Sequence, residues 1–172
     1  MELKKAEVML QKVSRKNLPK VRAMTEEVWW HHFPGILSEK QIAYMLSRLY
    51  SIEAMEAELE CGKVSYRFIL CEGVRAGFCA FGPTENPGEM KIHKLYVLPR
   101  FQRRGCGSGA LQRIEELWRN MKGTTLILAV NKQNRGAIYA YRQAGFAIQE
   151  SVCVDIGEGF LMDDYIMVKR LA

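Results

Sequence analysis

Between an apolar stretch, Met90 to Val97, and an amphipathic stretch from Ala110 to about Met121, the chain places Gln102-Arg103-Arg104-Gly105-Cys106-Gly107-Ser108-Gly109. A glycine run at the junction of a predicted strand and a predicted helix constrains this fold more than any other feature. Glycines let consecutive amides point into one concavity, and the helix start adds partial positive charge, so the junction suits a phosphate or pyrophosphate. Arg103 and Arg104 strengthen that field. A nucleotide-hydrolysing P-loop would need a Lys after its last glycine, and none follows Gly109. A dinucleotide site would use Gly105-x-Gly107-x-x-Ala110 with an acid at the end of the next strand, where Val130-Asn131-Lys132 stands instead. A tight turn that only brings helix and strand together remains open from the glycines alone.

The flanking sequence predicts a layered arrangement. Pro19 suits the first turn of a helix that carries Val21, Met24 and Val28, and Pro34-Gly35 breaks it. Ser38 with Gln41 has the form of a capping box before Ile42, Met45, Leu46 and Leu49, and a third helix spans Ser51 to Glu60. Strands follow at 66–71 and 76–81 around Glu72-Gly73, then at 90–97, with the glycine run and the helix 110–121 behind them. A strand at 124–130, a helix at 136–144 and a hairpin of 146–155 with 160–168 complete the order. This reads as an α/β (α+β layered) fold with a mixed sheet flanked by helices.

Length and composition bound the class. At 172 residues and 48% hydrophobic, residues 1–172 suit one domain with an ordinary core. No apolar run approaches the ~20 residues of a membrane-spanning helix, and no secretory pattern opens the chain, so a cytoplasmic protein is expected. Five widely spaced cysteines suit reduced thiols rather than a disulfide framework or a metal site. The net charge of +6 concentrates in residues 1–22, which hold seven Lys/Arg against two Glu. A solvated surface explains that segment better than a nucleic-acid arm, so no nucleic-acid partner is expected.

Further motifs surround the glycine run: Leu95-Tyr96-Val97 before it, then Asn134, Ala137, Tyr141 and Gly145-Phe146 after it. Together they resemble the GCN5-related N-acetyltransferase superfamily. Gln102-x-x-Gly105-x-Gly107 is similar to its acyl-CoA signature, and the run from Asn134 to Phe146 matches its second motif without a gap. The N-terminal helices and the stretch from Val154 to Lys169 look similar to a bacterial polyamine-acetyltransferase-like branch. The resemblance implies a mostly antiparallel, twisted sheet and acetyl-CoA as cosubstrate, with no metal. Homodimers are common in the superfamily.

The resemblance also implies roles. The backbone at Leu95, Tyr96 and Val97 would pair with the pantetheine arm, and Gln102, Arg103, Arg104, Gly105, Cys106, Gly107, Ser108 and Gly109 would surround the pyrophosphate. A bulge in the strand before the glycine run would offer an amide to the thioester oxygen. Asn134 and Ala137 would lie beside the cofactor, and Tyr141 would protonate the departing thiolate, since a phenol of ordinary pKa ~10 keeps its proton at neutral pH.

Strand alternation puts Glu89, Lys91, His93, Leu95 and Val97 on one face. Lys91 stands where some members carry a carboxylate, which makes His93 the preferred base and Glu89 the reserve; a packed, hydrogen-bonded His remains the alternative. Trp29, Trp30, His32 and Phe33, at the end of the first helix, would wall the acceptor site, with core packing expected for at least one Trp. Adjacent His31 and His32 face different directions on a helix, so they do not suggest a shared metal site. Residues 150–168 hold five acids and no Lys or Arg, which suits a polycation but more simply a solvated hairpin. Cys106, beside a helix start and two arginines, is expected to favour its thiolate.

These readings combine in an N-acetyltransferase that uses acetyl-CoA on a primary amine, a small polyamine-like molecule favoured, by direct attack in a ternary complex. An acyl-CoA-sensing or interaction module without efficient transfer, and a protein N-terminal or lysine acetyltransferase, are the competing readings.

Overall fold

The computed structural model describes residues 6–172. Its strands are β1 (Val8–Lys12), β2 (Ser65–Cys71), β3 (Val74–Pro83), β4 (Glu89–Val97), β5 (Thr125–Asn131), β6 (Ala147–Gly157) and β7 (Phe160–Arg170). They form one sheet in the order β1-β2-β3-β4-β5-β7-β6. Every neighbouring pair is antiparallel except β4 with β5. Helices α1 (Leu18–His32), α2 (Glu39–Leu49) and α3 (Ile52–Glu60) precede β2; α4 (Cys106–Asn120) joins β4 to β5, and α5 (Arg135–Gln143) follows β5. The expected mixed, mostly antiparallel α/β layer is the observed one.

Local chemistry explains the helices. Pro19 lies in the first turn of α1, whose residues Leu18, Val21, Thr25, Val28 and Trp29 are buried at helical spacing. Ser38 Oγ accepts from the Gln41 amide at 3.1 Å, and Ser51 Oγ caps α3 in the same way through Ala54. Only half of the predicted capping box forms, because the Gln41 side chain donates instead to the Leu161 carbonyl at 2.8 Å and so ties α2 to β7.

The helices divide between the two faces of the sheet. Helices α4 and α5 cover a core of Val8, Ile69, Cys79, Met90, Ile92, Ile114, Leu126, Leu128 and Met167. Helices α1 to α3 cover Leu18, Val21, Met55, Tyr66, Phe68 and Phe78 on the other face, continuous with Trp29, Phe33, Ile42, Leu46 and Tyr50. Among the described residues no helix is long and apolar enough to cross a membrane.

Two elements differ from the sequence reading. Strand β1, not expected at all, lies within the basic first segment and pairs with β2 from Val8 opposite Cys71 to Lys12 opposite Arg67. Its five residues include only one buried side chain, Val8, so no periodicity marks it. Within the same basic segment Arg15 pairs with Glu56 and Glu60, and Arg22 with Glu26; residues 1–5 lie outside the described residues. The second difference is α4, which begins at Cys106 rather than Ala110, so Gly107, Ser108 and Gly109 form its first turn instead of a loop.

Candidate active site

The parallel pairing of β4 and β5 runs only from Glu89 opposite Thr125 to Ile92 opposite Leu128. Beyond that point β5 keeps only its pairing with β7, which runs from Thr125 to Asn131, while β4 continues against β3 alone. The sheet therefore splays open along His93 to Val97, leaving one edge of that β4 backbone without a strand partner. The splay coincides with a bulge: Phe81 pairs with Ile92 and Ala80 with Lys94, so His93 is the extra residue.

The bulge corrects the face assignment made from alternation. Met90 and Ile92 point to the α4–α5 side; after His93 that side is taken by Leu95 and Val97, while Tyr96 joins the aromatic cluster opposite. One inserted residue inverts the phase of the strand, so Glu89 and Lys91 do not share a face with Leu95 and Val97. Glu89 is also displaced from the site. Four residues before His93, roughly 13 Å of strand rise away, its Oε1 accepts from Thr84 Oγ1 at 2.7 Å and from Asn86 Nδ2 at 3.0 Å. Its carboxylate secures the β3–β4 loop, which removes it as a reserve base.

On the α4–α5 side, the helix start faces the splay. Gly105 precedes α4 with φ +79°, a conformation that costs an L-residue about 1–2 kcal/mol. The first amides of a helix lack intrahelical acceptors, so those of Cys106, Gly107 and Ser108 are free for an anion. Arg103 and Arg104 are exposed beside them. Two residues of the run serve packing instead. A Cβ at Gly109 would lie 2.5 Å from Val8 Cγ2, so this glycine lets α4 approach β1. Gln102 Nε2 donates to the Val97 carbonyl at 3.1 Å and holds the end of β4. Cys106 is buried, and burial with Cys71 nearby pushes its thiol up to about 12, the opposite of the activated thiolate expected. A groove of about 470 Å³ opens between α4 and α5 below Ser108.

Helix α5 begins at Asn134, whose Oδ1 accepts from the Ala137 amide at 3.3 Å. Tyr141, further along the same helix, stands edge-to-face with Phe146 at 5.9 Å between centroids. Burial, with Tyr96 as a second contribution, raises its phenol above the ordinary value, so it holds its proton at neutral pH.

The opposite side of the splay carries a packed aromatic cluster. Trp29 packs against Phe33 at 4.5 Å, Tyr50 at 5.3 Å and Tyr96 at 6.3 Å between centroids, and the Tyr50 and Tyr96 hydroxyls share a 2.7 Å hydrogen bond. Beneath Tyr50, Lys94 is 7% exposed and donates to Glu58 and to the Tyr66 hydroxyl, each at 2.7 Å. Tyr66 in turn donates to Glu58. His93 is exposed on the bulge; partial loss of water and the charges of Lys91 and Lys94 lower its pKa, which favours the neutral imidazole.

Trp29 and Phe33 of the predicted acceptor wall are thus buried in this cluster, whereas Trp30 is 44% exposed on the outside of α1. His32 reaches across instead: its Nε2 meets Asn134 Oδ1 at 3.0 Å. Sequence reasoning missed Tyr50, Glu58, Tyr66 and Lys94. Lys94, a charged residue between Ile92 and Tyr96, carries the one visible hint. The solvated-hairpin reading of residues 150–168 fails at Asp164, which is 7% exposed. Among the described residues no group of three or more His, Cys, Asp or Glu side chains is arranged for a metal ion.

Residues 24–146 match the model of the family described as Acetyltransferase (GNAT) family. An uncharacterized N-acetyltransferase in the pepI 3' region of Lactobacillus delbrueckii subsp. lactis is 24% identical over 144 residues, 80% of this chain and 83% of that protein. The crystal structure of the PaiA N-acetyltransferase from Thermoplasma acidophilum in complex with coenzyme A superimposes with a TM-score of 0.80 at 20% identity, covering 96% of this chain and 99% of that one. A chimera of the spermidine N-acetyltransferase SpeG from Vibrio cholerae with hSSAT gives 0.71 at 14% identity, covering 95% of both chains. At such identities the structures establish the shared fold.

Proposed function

The chain belongs to the acetyltransferase (GNAT) family, and from that premise we propose that residues 1–172 form a single N-acetyltransferase domain transferring an acetyl group from acetyl-CoA to a small, polyamine-like primary amine. The observation that carries the reading is the splay after Ile92 and Leu128, with a helix start on one face and an aromatic cluster on the other.

Acetyl-CoA, when bound, supplies an activated thioester. The residues present fit it: the amides of Cys106, Gly107 and Ser108 with Arg103 and Arg104 suit the pyrophosphate, and the β4 backbone edge from Leu95 to Val97, which has no strand partner and only the Gln102 side chain at the Val97 carbonyl, suits the amide-bearing pantetheine arm. A backbone amide at the His93 bulge would donate to the thioester oxygen, where negative charge develops. Tyr141 keeps its proton for the departing thiolate. An amine of pKa near ~10 arrives protonated, and the neutral imidazole of His93 accepts that proton. With Cys106 buried and its thiol protonated, the residues favour direct attack in a ternary complex over a cysteine-bound acyl group.

The test is CoA release from acetyl-CoA against spermidine, spermine, lysine and short peptides at two pH values, with acetyl-CoA binding measured in parallel. Thiol release with the polyamines supports the proposal. Release with peptides alone would make the chain a protein acetyltransferase, and tight binding without release would make it a sensing module.

A further inference from the structure

Lys94 is a buried ammonium that the proposed chemistry leaves unused. It directly follows the extra residue His93 in β4, and it is the one Lys or Arg among the buried described residues. Its Nζ crosses the core on the α1–α3 side to donate to Glu58 of α3 and to the Tyr66 hydroxyl of β2, each at 2.7 Å, and lies 5.3 Å from the Tyr50 ring centroid. Burial lowers the Lys94 pKa, and Glu58 opposes that pull by charge and by hydrogen bond. A buried ion pair is weak evidence for stability, and its best-attested use is to fix one register among several.

The splayed part of β4 has a register to fix. Leu95, Tyr96 and Val97 all have apolar bodies, and both faces of the sheet there are covered by core. Their hydrophobicity is therefore satisfied in either phase of the strand. Sliding His93 to Val97 by one residue against β3 would remove the bulge and set His93 opposite Ala80, Lys94 opposite Cys79 and Tyr96 opposite Gly77. Cys79 faces the core under α4 and α5. There Lys94 would have neither Glu58 nor Tyr66 in reach, and the acids of α4, Glu115 and Glu116, are already paired with Lys169, Arg119 and Arg113. A charge stranded in a core costs far more than a lost neutral hydrogen bond such as that between Tyr50 and Tyr96, so Lys94 discriminates most strongly between the two registers.

We infer that Lys94 is a positioning residue: its ammonium, held by Glu58 and Tyr66, selects the register of β4 in which His93 is the extra residue. Sliding a strand by one residue exchanges the backbone groups on its two edges as well as the side chains on its two faces. Only the observed register therefore turns the bulge and the present backbone edge from Leu95 to Val97 toward the splay. The consequence for acetyl transfer rests on the acetyltransferase reading above; the choice of register does not.

The experiment compares Glu58→Gln and the double variant Glu58→Gln, Lys94→Met with the wild type by urea unfolding, by the backbone NMR signals of residues 93–97 and by kcat for acetyl transfer. Glu58→Gln keeps the ammonium, so it is expected to lose stability while those residues give one set of signals. The double variant is expected to regain stability, as apolar replacement of a buried pair commonly does. It should also show a second set of signals, in which cross-strand contacts pair position 94 with Cys79, and kcat should fall by the share of molecules in that set. A folded double variant with one set of signals overturns the inference, and so does one that fails to fold, since the pair would then serve stability. Unchanged kcat beside a populated second register overturns the positioning role. A wild type without transfer overturns the acetyltransferase reading alone, because the NMR signals report the register without any substrate.

Discussion

His32 and Asn134 are separated by 102 residues and meet at 3.0 Å, His32 Nε2 against Asn134 Oδ1. One ends the helix that carries Trp29 of the aromatic cluster; the other starts the helix on the opposite side of the splay. Their contact couples the geometry of the two halves of the candidate site. Asn134→Ala removes both this contact and the cap on Ala137, the latter worth about 1 kcal/mol, whereas His32→Ala removes the contact alone. Both substitutions are expected to raise the acceptor KM, and only Asn134→Ala to lower the Tm, by about 2–4 °C. An unchanged KM in His32→Ala would mean that the contact is incidental.

Tyr141→Phe deletes one oxygen from a half-buried ring that keeps its contact with Phe146. A general acid at this position would contribute a factor of ~10²–10⁴ to turnover. The variant is expected to lose kcat on that scale and to bind acetyl-CoA as before. Equal losses in both quantities would make the tyrosine a packing residue.

The pH profile follows from His93. Its pKa is lowered, first by loss of water and then by Lys91 and Lys94, so the base is neutral at pH 7 and becomes protonated as pH falls. Activity should decline through an acid limb lying below the ordinary histidine value of ~6.5. Lys91→Met removes one of the depressing charges and should move that limb upward, while His93→Gln should abolish it. A downward shift in Lys91→Met would remove His93 from the role.

Lys94 and Glu58 form a pair that is buried at one end: their side chains are 7% and 36% exposed. Glu58→Gln strands the Lys94 charge in the core and is expected to cost about 1–3 kcal/mol, the partial exposure of Glu58 softening the loss. Adding Lys94→Met removes the stranded charge at similar volume, so the double variant should be more stable to urea than Glu58→Gln alone. If the double variant is the weaker of the two, the ammonium stabilises the fold through Tyr50 and Tyr66 rather than through Glu58.

Gly109→Ala would push a methyl group into Val8, and the misfit should cost about 1–3 kcal/mol in urea unfolding. Val8→Ala in the same chain should recover part of the loss. No recovery would locate the strain elsewhere than the α4–β1 contact.

Much of the fold was legible in local pattern. The helices α1, α2 and α3 follow from Pro19, Ser38 and Ser51 with apolar residues at helical spacing, and the hairpin strands from runs bounded by glycine-containing turns such as Glu72-Gly73 and Gly157-Glu158-Gly159. Gly105 and Gly107 were legible through the local chemistry of anion binding at a helix start, Asn134 and Tyr141 only through the resemblance to the family. Strand β1 was not, since an edge strand of five residues that buries only Val8 leaves no pattern to read.

What the sequence determined by itself was the order of the elements from α1 onward and the family, both properties of neighbours along the chain. Only the tertiary structure decided the acceptor side. The extra residue at His93 exists by reference to β3, and it inverted the faces of β4. The same dependence on distant partners buried Cys106 against Cys71 and enclosed Lys94 with Glu58 and Tyr66. Pairing register and burial belong to strands and helices brought together from far along the chain, so no local window of residues contains them.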